Sequence, residues 1–363
     1  MSAVGYVEIF LTFVLKVFND RDSSVRESAA SAFGKLIRLA PLVTADLNSS
    51  LISHLIHGVP LPPLVLPPDL FAGELREYQK EGVTWLTFLF ESGLGGVLSD
   101  DMGLGKTIQC LCAMGLRLHR APDKKYLVVC PNTVVGHWVD EVSRYFPSFK
   151  VNHYMSRGRS LLNANDWNLV VTSYEVMRSD IMKLSALKFD VVALDEGHLL
   201  KNPSTNTAKS ARVIRADLRV VLSGTPVQNN VNELWSCFDF LMEGFLGTRA
   251  EFAGKYGNVI MESISGCVMS TEARSLLKGL HQQVLPFILR RDKKTVLKSL
   301  PEKTIIDVFC DPSSRQRRIL KSYKRGEASF KELTFLRLLA VHPCLVEDTR
   351  EVEDWGGWKL KGE

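Results

Sequence analysis

The chain has 363 residues, 45% of them hydrophobic and 23% charged, which are globular values that exclude a disordered, collagenous or membrane-embedded class. This length supports two or three folded units with sizeable cores. A formal charge of +5 and a pI of about 8.7 permit contact with nucleic acid without demanding it.

The first eighteen residues are apolar, but Glu8 and Lys16 interrupt them and neither a basic region nor an A-x-A site flanks them. They predict a packed helix rather than a signal peptide. No stretch reaches the roughly 18 uninterrupted apolar residues of a membrane helix, so a soluble, intracellular chain with no membrane partner is expected. Residues 5–18 and 23–40 set apolar side chains at helical spacing around the polar turn Asn19, Asp20, Arg21 and Asp22. The second segment aligns Val25, Ala29, Ala32, Phe33, Leu36 and Ile37 on one face, and Pro41 ends it. Residues 1–57 therefore form a helical hairpin, either a HEAT-like repeat or a helical extension packed on the following domain. Residues 58–70 contain five prolines and form a linker, because proline fixes the backbone and removes donors.

From residue 71 short β-branched runs alternate with helical patterns, at 96–99, 126–130, 168–173, 190–194 and 219–223. This order predicts an α/β fold, a parallel sheet with helices on both faces, extending to residue 300. Loops after such strands build ligand sites. In GVLSDDMGLGKTIQC the strand gives way to a glycine loop and then a helix. Gly103 and Gly105 let backbone N–H groups face phosphate oxygens. Lys106 then reaches the β- and γ-phosphates, and the Thr107 hydroxyl ligates Mg²⁺. The candidate phosphate-binding set is Asp100, Asp101, Met102, Gly103, Leu104, Gly105, Lys106, Thr107 and Ile108. Asp100 stands where the Walker A pattern has glycine, and a chance glycine turn is the alternative on this loop alone. The run LDEGH delivers Asp195 to the metal and Glu196 to the attacking water, or else is simply a polar loop start. Seven cysteines, Cys110, Cys112, Cys130, Cys237, Cys267, Cys310 and Cys344, form no C-x-x-C pair and read as reduced thiols without disulfides.

LREYQKEGVTWL (75–86), DDMGLGKT (100–107), VVCPNTVVGHWVDEVSRYFP (128–147), VTSYE (171–175), DEGHLLKNP (195–203) and LSGTPVQNNVNELW (222–235) follow one another in that order. They resemble the motifs of Swi/Snf-type ATPases of helicase superfamily two, and PFILRRDKKTVLKSLPEK (286–303) is similar to that family's passage between two lobes. The resemblance implies a RecA-like first lobe over 71–300, the opening of a second lobe over 301–363, ATP and Mg²⁺ as cofactors, double-stranded DNA as partner and a nuclear location. DEGH in place of DEAH, DDMGLGKT in place of DEMGLGKT, and the hairpin ahead resemble the branch that removes TATA-binding protein from DNA.

The resemblance also implies roles. Arg76 and Gln79 read adenine, unless Arg76 and Tyr78 are plain helix surface and core. His198, Ser223, Gly224, Thr225 and Gln228 couple the γ-phosphate state to the DNA side, unless His198 is a plain hydrogen-bonding residue beside a strand end. Pro131, Asn132, Thr133, Thr172, Ser173 and Tyr174 contact the DNA backbone. Trp138 is expected in the core. Arg290, Arg291, Lys293 and Lys294 form a basic cluster that touches DNA, directs import or is a solvated face. The family's arginine finger falls after Glu363, so the chain alone is expected to hydrolyse ATP negligibly. A short module that binds nucleotide or a partner without turnover is the alternative, and a P-loop kinase is disfavoured by the TSYE, DEGH and SGTP series.

Overall fold

The structure, a computed structural model, describes Val14, Val17 and residues 22–39, 61–155, 166–224, 231–265, 270–297, 306, 308–322 and 330–346. Seven parallel strands form one sheet: β1 (Gly96–Leu98), β2 (Tyr126–Cys130), β3 (Val151–Tyr154), β4 (Leu169–Ser173), β5 (Lys188–Leu194), β6 (Arg215–Leu222) and β7 (Ile288–Leu289). Their order is β3-β4-β2-β5-β6-β1-β7. All five anticipated strands are present, β5 and β6 beginning earlier than their apolar runs suggest. The edge strands β3 and β7 were not anticipated: β3 reads VNHY and is half-buried, and β7 is only two residues long.

Strand side chains alternate between faces, and both faces are buried. Leu127, Val129, Val170, Val192 and Leu194 enter one core, whereas Tyr126, Val128, Leu169, Val171, Val191 and Ala193 enter the other. Along the chain the helices are α1 (Ser23–Leu39), α2 (Glu77–Glu91), α3 (Lys106–Arg120), α4 (Val135–Tyr145), α5 (Tyr174–Ser179), α6 (Ile181–Ala186), α7 (Asn206–Val213), α8 (Val231–Leu241), α9 (Arg249–Ser265) and α10 (Thr271–Val284). Helices α3 and α4, with Val83, Leu86 and Phe90 of α2, cover one face. Residues of α1 and of α5 to α10 fill the other.

The Asp22 carboxylate caps α1, accepting from Ser24 N at 2.8 Å and Ser24 Oγ at 2.9 Å. Phe33 is 1% exposed, with ring centroids 6.2 Å from both Phe245 and Phe287. At Gly34 an added Cβ would lie 2.4 Å from Phe245 O, so the helix approaches the lobe closely. The described helix is thus packed on the sheet-bearing lobe, within one compact unit, Met1–Ser299. The first helix of the anticipated hairpin lies outside the described residues except for Val14 and Val17. Residues 61–67 form neither helix nor strand. The second unit, Leu300–Glu363, contains helices Ser314–Ser322 and Phe330–Val341, joined by a bond from Gln316 Nε2 to Leu339 O at 2.9 Å. No described helix is long and apolar enough to cross a membrane, and the six described cysteines are free thiols.

Candidate functional site

Parallel pairing brings the carboxyl ends of the strands to one edge of the sheet, so the loops after β1, β2, β4, β5, β6 and β7 collect there. After β1, Gly103 (φ +84°) and Gly105 (φ +76°) take the left-handed conformation that glycine adopts without steric cost, turning the chain into α3. Lys106 is the first residue of α3. Its Nζ donates to Asp100 O at 2.8 Å and to Asp101 O at 3.3 Å. Burial pulls the Lys106 ammonium below the usual lysine range, and Asp195, Glu196, Asp100 and Asp101 oppose that shift. Leu104 is buried, while Met102 is 66% exposed. Thr107 and Ile108, in the first turn of α3, and Gly103 are at least partly accessible.

Asp195 follows β5. Its Oδ2 accepts from Trp138 Nε1 at 2.8 Å and its Oδ1 from Glu196 N at 2.9 Å. Burial pushes the Asp195 carboxyl above the usual range, and the Trp138 bond is the largest opposing effect. Glu196 is the one described non-glycine residue with positive φ, at 53°. Such a conformation costs about 1 kcal/mol or more and persists where surrounding structure imposes it. Its Oε2 lies 3.1 Å from His198 Nδ1. At Gly197 a Cβ would stand 2.1 Å from Val221 Cγ1, which gives a packing reason for glycine within DEGH. The chain after β6 also closes on the phosphate loop, since a Cβ on Gly224 would meet Met102 Cγ at 2.7 Å. Ser223 is buried, and Thr225 and Gln228 lie outside the described residues.

Gln79 is buried against the loop. Its Oε1 accepts from Arg76 N at 2.9 Å and its Nε2 donates to Leu104 O at 3.3 Å. The Arg76 side chain is exposed at the head of α2. Asn132 and Thr133 are exposed and Pro131 half-buried.

Two expectations need correction, and a third residue gains a role. Thr172, Ser173 and Tyr174 do not offer their side chains to DNA, being 0%, 1% and 3% exposed. Thr172 Oγ1 donates to Tyr154 O, Ser173 Oγ caps α5 through Val176 N, and Tyr174 Oη donates to Asp195 O at 2.7 Å. Trp138 is in the core as expected, yet it also holds the acidic residue of the site. Arg291 belongs to no solvated face: its side chain is 10% exposed and ion-paired with the fully buried Asp100 at 2.5 Å. Arg290, Lys293 and Lys294 do keep exposure.

The residues fit a magnesium nucleotide. A threonine hydroxyl and a carboxylate are hard oxygen donors, and Asp195 has lone pairs beyond its two described bonds. No group of three or more His, Cys, Asp or Glu side chains suited to a metal occurs among the described residues.

A family model described as an SNF2-related domain matches residues 78–340. The chain is 38% identical over 409 aligned positions to TATA-binding protein-associated factor 172 of Homo sapiens, covering 95% of this chain and 22% of that protein. It is 34% identical to TATA-binding protein-associated factor MOT1 of Saccharomyces cerevisiae, covering 95% of this chain and 21% of that protein. It thus spans about a fifth of the length of these relatives. A solved structure of the Sulfolobus solfataricus SWI2/SNF2 ATPase core in complex with dsDNA matches with a TM-score of 0.60 and 29% identity, covering 78% of this chain and 62% of that one.

Proposed function

The chain belongs to the family of SNF2-related domains, and from that premise we propose that it is the ATP-binding lobe of a DNA-dependent, duplex-translocating ATPase that remodels protein–DNA complexes. The relatives named as TATA-binding protein-associated factors support TATA-binding protein as the protein removed from DNA. They also support action in the nucleus. The observation that carries the reading is Lys106 at the head of α3, half-buried near the charges of Asp195 and Glu196 at the edge where the strand-end loops meet.

In this reading Lys106 and the loop amides hold the phosphates, Thr107 and Asp195 hold Mg²⁺, and Glu196 orients the attacking water. When bound, Mg²⁺ neutralises charge developing on the phosphate oxygens. Trp138 and the Glu196 N–H keep the Asp195 carboxylate in place, and His198 orients Glu196. Arg76 and Gln79 serve adenine. His198, Ser223, Gly224, Thr225 and Gln228 couple nucleotide state to the DNA side, where Pro131, Asn132 and Thr133 follow the backbone without reading sequence.

Titration of the chain with Mg·ATP, with Lys106→Ala as control, tests the site. Losing a charge-assisted bond of about 1.5–3 kcal/mol should weaken binding at least about tenfold. Equal binding by both chains would remove the phosphate-loop assignment. For the whole protein, a TATA-binding protein–DNA complex that dissociates no faster with ATP than without it would end the displacement reading.

A further inference from the structure

The peptide unit joining Asp100 to Asp101 is held at both ends of its dipole. Its carbonyl, Asp100 O, accepts from Lys106 Nζ at 2.8 Å, while its N–H, on Asp101, donates to Arg291 O at 3.0 Å. A peptide unit is planar and turns as one body, so the two bonds cannot change independently. The same two aspartates bind the segment after β7 through their side chains. Asp100 Oδ1 accepts from Arg291 N at 3.1 Å and Nε at 3.0 Å, and Oδ2 accepts from Nη2 at 2.5 Å. Asp101 Oδ2 accepts from Lys293 N at 3.0 Å. The arginine fork also donates to Gln109 Oε1 at 2.6 Å and to Tyr78 O. A buried fork–carboxylate pair of this kind is little screened by solvent and fixes direction as well as distance.

We infer that Arg291 is a positioning residue that transmits occupancy of the phosphate loop to the passage 288–297, with the Asp100–Asp101 peptide as the moving part. The inference rests on the ATP-site reading above. A phosphate that takes Lys106 Nζ draws the ammonium from the Asp100 and Asp101 carbonyls it otherwise holds. The freed peptide turns, Asp101 N–H shifts against Arg291 O, and the passage adjusts along the chain leading to Leu300, where the second compact unit begins. Reciprocity follows: whatever displaces the passage alters the affinity of the loop for phosphate. Gly82 of α2 offers a handle that leaves every charge in place. A Cβ there would meet Gln109 Oε1 at 1.8 Å and Arg291 Nη2 at 2.7 Å, so the fork fits beneath α2 only because the position lacks a side chain.

The test is hydrogen exchange at the amides of Asp101, Arg291 and Lys293 in the whole chain, with and without saturating Mg·ATP, alongside a binding titration of each sample. The parent should show a change of about tenfold at these amides on binding. In Arg291→Lys, which keeps charge but loses the fork, and in Gly82→Ala, the change at residues 291 and 293 should fall below about twofold while Mg·ATP still binds. A parent that binds Mg·ATP with no change at these amides overturns the inference. So does either variant that retains the parent's response. Absence of binding in the parent titration overturns the ATP-site reading as well, which separates the two failures.

Discussion

Replacing Trp138 by Phe removes one N–H and leaves a ring in the same buried slot. That N–H donates to Asp195 Oδ2 at 2.8 Å, and the other bond to the carboxylate is the one from Glu196 N at 2.9 Å. A hydrogen bond to a charged group is worth about 1.5–3 kcal/mol, and about 1.4 kcal/mol is a factor of ten in affinity. If about half of that energy serves to keep Asp195 facing the metal, Trp138→Phe should weaken Mg·ATP binding about three- to tenfold near neutral pH. The sign of the pH effect follows from the same bond. Burial already raises Asp195, the Trp138 bond is the largest effect lowering it, and metal binding needs the ionised form. Binding should therefore fall as pH drops through the raised pKa, and the Phe variant should lose it at a higher pH than the parent. Mg·ATP titrations at a series of pH values descending from neutrality, with near-ultraviolet circular dichroism to verify folding, measure both effects. Parent and variant binding alike at every pH would refute the role given to Asp195 and its indole partner.

Phe33→Ala should cost about 3–5 kcal/mol in urea unfolding of the first unit, because the ring is buried against Phe245 and Phe287. A loss under about 1 kcal/mol would mean that α1 is not packed as described. Gly197→Ala should cost about 1–3 kcal/mol by overpacking against Val221, and Val221→Ala in the same chain should recover part of it. Simple additivity of the two losses would show that the contact is not the cause.

The central strands were legible because both faces of the sheet are buried, which forces unbroken apolar runs such as YLVVC and VVAL. An edge strand needs no such run, and β3, with Asn152 and His153 at its centre, carries none. Asp195 and Glu196 were legible because they follow β5 directly, and Lys106 because a glycine loop links β1 to the helix it opens. Their supports were not, because the partners lie far apart in the chain: Trp138 and Asp195 by 57 positions, Asp100 and Arg291 by 191. Local pattern contains no trace of such pairings. The same limit misplaced Thr172, Ser173 and Tyr174, since polar residues at a strand end look alike whether they face a phosphate or turn inward to bond the lobe's own backbone.

Strand β1, which leads into the phosphate loop, lies between β6 and β7, so Val97 pairs with Val221 on one side and Ile288 on the other. On the ribosome, at about 5–20 residues per second, roughly ten to forty seconds separate synthesis of β1 from that of its last neighbour. Throughout that interval the nascent phosphate loop adjoins an apolar strand with an open edge, a template for mispairing. The β7 edge beside the phosphate loop is thus closed late, after every residue assigned to the nucleotide has already been synthesised.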